Sequence, residues 1–177
     1  MPPFITNALN SLLELPTVSR VRRNHGLEHA TLHILSQKFP RKVMAGHSTS
    51  SGFRLMADLP LEDVQEAVDE ALARLRAGEE NLAVHPNCGT NFVTAGTFAG
   101  LAGASAMLGV KRRPQDVLER LVLAAGLATV ALIAAQPLGM LLQARVTTSG
   151  QPGELAVESI SKTQQGGMTV YFVRTRG

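Results

Sequence analysis

Two stretches of this 177-residue chain carry no charged residue: Cys88 to Val110 and Leu121 to Ala144. Each reaches the ~20 residues that a helix needs to cross the hydrocarbon core of a bilayer. A helix that is apolar all round needs apolar surroundings on every side, and the rest of the chain is too short to wrap two of them. The pattern predicts a transmembrane helical hairpin. Its first arm is rich in small residues, and Gly96 with Gly100 forms a small-xxx-small pair through which partner transmembrane helices can approach. Its second arm holds Gln136 and Pro137 near the end, which a packed membrane helix tolerates.

The flanks read differently. Residues 16–40, bounded by Pro16 and Pro40, place Leu27, Ala30, Thr31, Ile34 and Leu35 at the spacing of one buried helix face. Residues 42–60 suggest two short strands around a Ser/Gly turn. From Leu61 to Arg76 the sequence is an amphipathic helix, started by Glu62 and Asp63 and finished by Arg74, Arg76 and Gly78. The last residues read as a hairpin turning at Gln165, Gly166 and Gly167, whose strands join the earlier pair. The expected fold is an α+β membrane protein: amphipathic helices and a small antiparallel sheet packed with a two-helix transmembrane hairpin. Its expected parts are a soluble region over 1–87, the hairpin over 88–145 and a β-hairpin over 146–177.

Composition narrows the function classes. There is no Trp and one Tyr, and the formal charge is +3 with its basic residues scattered, which argues against a nucleic-acid surface. A single cysteine, Cys88, rules out an intrachain disulfide. The first residues have no basic run ahead of an apolar core, so no cleavable signal is expected. The basic connector Lys111, Arg112, Arg113 and Arg120 would by itself lie in the cytoplasm. Against that stand Arg20, Arg22, Arg23, Lys38, Arg41 and Lys42 ahead of the first arm. The expected location is the bacterial inner membrane with the larger soluble part cytoplasmic.

Chemistry concentrates in two motifs. In HGLEH the imidazoles of His25 and His29 sit one helical turn apart and can reach one ion, while Glu28 lies to the other side of His25. This order inverts the commoner zincin helix; in inverzincins the histidines hold zinc and the glutamate is the general base. Gly26 costs about 1 kcal/mol relative to Ala in a helix interior, so something is expected to approach the backbone there. A catalytic zinc takes three protein ligands and a water. The second motif, HPNCGT, supplies candidates for the third ligand: Cys88 first, ahead of a helix that Thr90 or Asn91 would cap, and His85 second. His33 is a fourth ligand or an outer hydrogen-bond donor, whereas His47, in a Ser/Thr/Gly-rich turn, reads as solvated or hydrogen-bonded.

His25-Gly26-Leu27-Glu28-His29, followed by His85-Pro86-Asn87-Cys88-Gly89-Thr90 and then by an apolar helix, resembles a group of uncharacterised bacterial integral-membrane proteins. Those proteins carry H-G-x-E-H and H-P-x-C-G-T in this order and are described as predicted metal-dependent enzymes; the chain looks most like a smaller domain-of-unknown-function family within the group. The resemblance covers positions 20 to 145 and departs at Ala30, where the larger relatives tend to have Lys. It implies His25, Glu28, His29, His85 and Cys88 as the site and supplies no reaction. The expected function is a membrane-anchored zinc protein, possible hydrolase chemistry resting on Glu28. The competing expectation is a membrane scaffold or accessory subunit in which His25, His29, His85 and Cys88 close a structural zinc.

Overall fold

The computed structural model describes residues 3–111 and 113–177. The chain divides into two compact units: Met1–His85 with Ala144–Gly177, and Pro86–Gln143.

The first unit begins with helix α1, Pro3–Leu13, and helix α2, Pro16–Lys38. Pro16 sets the first turn of α2, where a missing N–H costs nothing. Strands β1, Ala45–Thr49, and β2, Gly52–Met56, follow, then helix α3, Leu61–Arg76. Gly78, at φ +95°, turns the chain out of α3. A short 3-10 turn, Glu80–Ala83, leads to His85. After the second unit, strands β3, Ala156–Gln165, and β4, Met168–Arg176, complete an antiparallel sheet in the order β1-β2-β4-β3. Gly166 and Gly167, both at positive φ, form the two-residue turn between the last two strands.

The core lies where α2 and α3 meet the sheet. All five expected apolar-face residues of α2, Leu27, Ala30, Thr31, Ile34 and Leu35, are buried, as are Val64, Val68, Ala71 and Leu75 of α3. They pack on Phe53 and Leu55 of β2, which lie opposite Val173 and Tyr171 of β4. The Tyr171 hydroxyl, buried in that layer, donates to the Leu59 carbonyl. The three arginines ahead of the histidines fasten the C-terminal segment. Arg22 Nε donates to the Val146 carbonyl at 2.8 Å and its Nη2 reaches the carbonyls of Arg145 and Thr148. Arg20 and Arg23 reach the carbonyls of Thr175, Pro152 and Gly177.

The second unit is helical: α4, Gly89–Ala106; α5, Pro114–Ala134; and the short α6, Gln136–Leu142. α4 and α5 pair; at Gly103 a Cβ would sit 3.7 Å from the Ala124 carbonyl and the Ala128 methyl. Gly96 and Gly100 face open space instead. Among the described residues α5 alone is long and apolar enough to span a membrane, so the expected two-helix transmembrane hairpin is narrowed to one candidate span. α4, at 18 residues, falls short because its glycines, threonines and Asn91 dilute its apolar residues. The second uncharged stretch is also not one helix: α5 starts at Pro114, within the charged connector, and the axis breaks at Ala135 ahead of Pro137. No residue of α5 is buried, and Leu121, Val122, Val130 and Ile133 are all more than half exposed.

Candidate metal centre

The histidines of α2 form a stripe at intervals of four on the side of the helix next to its core-facing residues. His25 and His29 have ring centres 4.3 Å apart. A zinc–nitrogen bond of ~2.0–2.1 Å, with about 1.1 Å more to the ring centre, puts two imidazoles on one tetrahedral ion about 5 Å apart. The pair therefore stands close to ligating separation.

Their tautomers are set by the backbone. His25 Nδ1 lies 2.9 Å from the Thr147 carbonyl and His29 Nδ1 lies 2.8 Å from the Ala83 carbonyl. A carbonyl only accepts, so each Nδ1 carries the hydrogen and each Nε2 is the lone-pair nitrogen. Metal-binding histidines are held in this way, their second nitrogen donating to a carbonyl. His33 is tied by the other atom, its Nε2 lying 2.9 Å from the Val84 carbonyl. Consecutive carbonyls, Ala83 and Val84, thus grip consecutive histidines of the stripe, and His85 follows at once. Its ring centre is 4.8 Å from that of His33 and 5.7 Å from that of His29. Burial, with His33 and His29 adding to it, pushes the His85 imidazole down to about 4; it is neutral near pH 7, the form that binds metals.

Gly26 has the close approach that its cost in a helix implies. A Cβ there would overlap the Ser149 carbonyl and come within 3.2 Å of the Ala83 methyl. The segments that hold His25 and His29 press on the helix at this one residue.

Glu28 points to the sheet side. It is 4% exposed, and the Ser48 hydroxyl donates to its Oε2. A Cβ at Gly46 would overlap its carboxylate. Burial raises its pKa above the ordinary glutamate value, against the Ser48 hydrogen bond and the charges of His25 and His47. β1 thus offers Gly46 and Ser48 to α2 where β2 offers Leu55 and Phe53, and this socket is the part of the site that reading the sequence missed. The signal was present: two small residues at i, i+2 on the inward face of a strand. His47 is exposed on the other face, as expected.

Cys88 is the N-cap of α4, its Sγ accepting from the Thr90 N–H at 3.5 Å. The thiol itself caps the helix, not Thr90 or Asn91; Asn91 spans the turn, donating to the Pro86 carbonyl at 2.7 Å and accepting from Gln143 at 2.6 Å. A sulfur at a helix N-terminus is stabilised as thiolate by the positive end of the dipole.

The family described as Domain of unknown function (DUF6391) matches residues 20–160. An uncharacterised protein of Picosynechococcus sp. (strain ATCC 27264 / PCC 7002 / PR-6) is 38% identical over 167 residues, 88% of this chain and 79% of that protein. No solved structure matches the chain.

Proposed function

The chain belongs to this family of unknown function, and from that premise we propose that it is a membrane-anchored metal-binding protein with the layout of a zinc hydrolase. His25, His29 and Cys88 could hold the ion. The observation that carries the reading is the pair His25 and His29, one turn apart, each with Nδ1 fixed on a backbone carbonyl. Two imidazoles held in the same tautomer are preorganised for one ion. Cys88 is the third donor by its chemistry, a soft sulfur three residues along the chain from His85. Two nitrogens and a sulfur suit zinc, which when bound makes water acidic enough to act near neutral pH. His85 is left outside this shell because its ring stands nearer to His33 than to His29. Three protein ligands leave a position open, which favours hydrolysis over a closed structural clamp. A base role for Glu28, next to His29 in sequence, requires its carboxylate to turn from the Gly46 and Ser48 socket towards the histidines.

Membrane anchoring rests on α5 and on connectivity. At 1.5 Å per residue its 21 residues measure about 31 Å, of which the uncharged run 121–134 supplies about 21 Å. The sheet of the first unit pairs β2, ahead of the helical insertion, with β4, after it. The chain therefore leaves and re-enters on one side, and any membrane must be crossed an even number of times. If α5 spans, its partner α4 spans with it. Hydroxyls in both helices are satisfied by their own backbone: Thr94 donates to Thr90, Thr97 to Val93 and Thr129 to Ala125, as helices in lipid require. The proposed location is the bacterial inner membrane with the first unit in the cytoplasm. A site held at a bilayer surface suits an amide bond in a membrane protein or a lipid-linked molecule, and Gly96 and Gly100 remain available to a partner helix.

The test is metal content of detergent-purified protein by elemental analysis, for wild type, His29→Ala and Cys88→Ala. Bound zinc in the wild type that falls sharply in both variants supports the joint site. A well-folded wild type without metal overturns it.

A further inference from the structure

Asn91 brackets the cysteine of the HPNCGT motif. Its backbone N–H donates to the Cys88 carbonyl at 2.9 Å, and its side-chain Nδ2 donates to the Pro86 carbonyl at 2.7 Å. Pro86 has no N–H of its own with which to tie the turn, so the amide side chain closes it. The Thr90 N–H, one residue back, reaches the Cys88 sulfur at 3.5 Å. The direction in which Sγ points is therefore set by the first turn of α4.

The orientation of Asn91 is set in its turn from the far end of the helical unit. A carbonyl only accepts, so Pro86 draws the Asn91 nitrogen towards itself and leaves Oδ1 facing away. That oxygen accepts from Gln143 Nε2 at 2.6 Å. Gln143 is fully buried, where an amide is costly unless hydrogen-bonded. α6 comes close enough for this bond because residue 139 is glycine: a Cβ there would overlap the Asn91 amide oxygen. Gln143 also opens the π-turn Gln143–Thr147, whose last residue supplies the carbonyl facing His25 Nδ1. The residue that steadies the Cys88 turn is thus the first of the turn that ends in the support of His25.

We propose that Gln143 is a positioning residue of the metal centre, holding, through the Asn91 amide, the turn that aims the Cys88 sulfur. The inference rests on the assignment of Cys88 as a ligand and adds to it a residue that touches no metal. Loss of a hydrogen-bond partner behind a ligand lowers metal affinity by about 10–100-fold.

The experiment is a cobalt(II) titration of the full-length, chelator-stripped protein in detergent, reading bound cobalt by equilibrium dialysis and the thiolate charge-transfer absorbance in the near ultraviolet, which only an ion bound to Cys88 gives. Gln143→Leu removes the donor at similar volume. Asn91→Asp keeps the acceptor for Gln143 and loses the donor to Pro86, so it breaks the relay at the other end with its shape retained. The expected result in both is a cobalt dissociation constant raised by about 10–100-fold, with a weaker thiolate band per bound ion. Gly103→Val is the control: its branches press on Ala124 and Ala128, loosening the α4 and α5 pair away from the turn, so it melts lower with affinity and band as in wild type. Relay variants that melt lower with affinity and band unchanged overturn the positioning role and leave Cys88 a ligand, as does an equal loss of both in Gly103→Val. If far-ultraviolet dichroism shows Gln143→Leu unfolded, Asn91→Asp alone decides. A wild type that binds cobalt without the band, or binds none, overturns the assignment of Cys88 and this inference with it.

Discussion

Replacing Gly26 by alanine tests whether the helix and its two histidine-holding segments are pressed together as described. In an exposed helix the exchange gains about 1 kcal/mol. Here the new methyl overlaps the Ser149 carbonyl, and Ala83 stands 3.2 Å away on the other side. The Ser149 segment cannot retreat cheaply, because its N–H donates to the Arg22 carbonyl at 2.9 Å and the Arg22 guanidinium holds the carbonyls of Val146 and Thr148. Overpacking of this kind costs typically 1–3 kcal/mol. With a cost near the top of that range against the propensity gain, Gly26→Ala is destabilised by about 1–2 kcal/mol, a fall in melting temperature of about 2–8 °C for a chain of this size. Bound metal falls with it, since Thr147 and Ala83 move with the displaced segments. Gly100→Ala is the control: its Cβ meets nothing within 4 Å, and it is neutral or slightly stabilising. The assay is thermal unfolding in detergent followed by far-ultraviolet dichroism, paired with elemental analysis. A Gly26→Ala protein that melts higher than wild type with its metal intact would refute the packing argument.

Ser48→Ala removes the hydroxyl that donates to the buried Glu28 carboxylate and costs about 1–3 kcal/mol, read by denaturant unfolding; Ser48→Thr recovers most of it. In metal-free protein the fold is most stable above about pH 6.5. It loses stability as pH falls from there towards about 4, because His85 is held down to about 4 in the fold and takes its proton near 6.5 when unfolded. Melting temperatures of chelator-treated wild type between pH 4 and 8 show this slope, and His85→Asn flattens it. Leu127→Arg, at the middle of α5, costs about 2.5–3.5 kcal/mol of membrane insertion and shifts the protein from the membrane pellet to the carbonate-soluble fraction. A single cysteine placed at Gly109 and another at Gln151, each in a Cys88→Ser background, are labelled by a membrane-impermeant thiol reagent from opposite sides of the membrane; labelling from the same side rules out the paired crossing.

How far the sequence led depends on whether a feature is local or made by distant residues. α2 could be read because Pro16 and Pro40 bracket a five-residue apolar stripe, and all five residues are buried. The β3–β4 turn could be read because Gly166 and Gly167 admit the positive φ it needs. Adjacency of His25 and His29 follows from helical geometry alone. Glu28's socket was hidden, since it exists only once β1 is laid across α2 with Gly46 and Ser48 facing inward. The tautomers were hidden for the same reason: the carbonyls that set them come from Thr147 and Ala83, 122 and 54 residues away from their histidines. Lack of charge alone did not separate α4 from α5: among the described residues only α5 is long and apolar enough to span a membrane. Arg22 was read only as a charge ahead of the first arm, and is also the clasp of the C-terminal segment.

The residues that grip the histidine stripe are the last ones before the helical insertion and the first ones after it. Ala83 and Val84 are in place early in synthesis, but Thr147 leaves the ribosome only after the whole insertion has been made. Until then His25 lacks the carbonyl that fixes its tautomer, and Gly26 lacks the Ser149 backbone that packs on it. Completion of the centre is therefore a late event, timed by the passage of α4 and α5, so that a chain whose insertion has stalled cannot present a finished site.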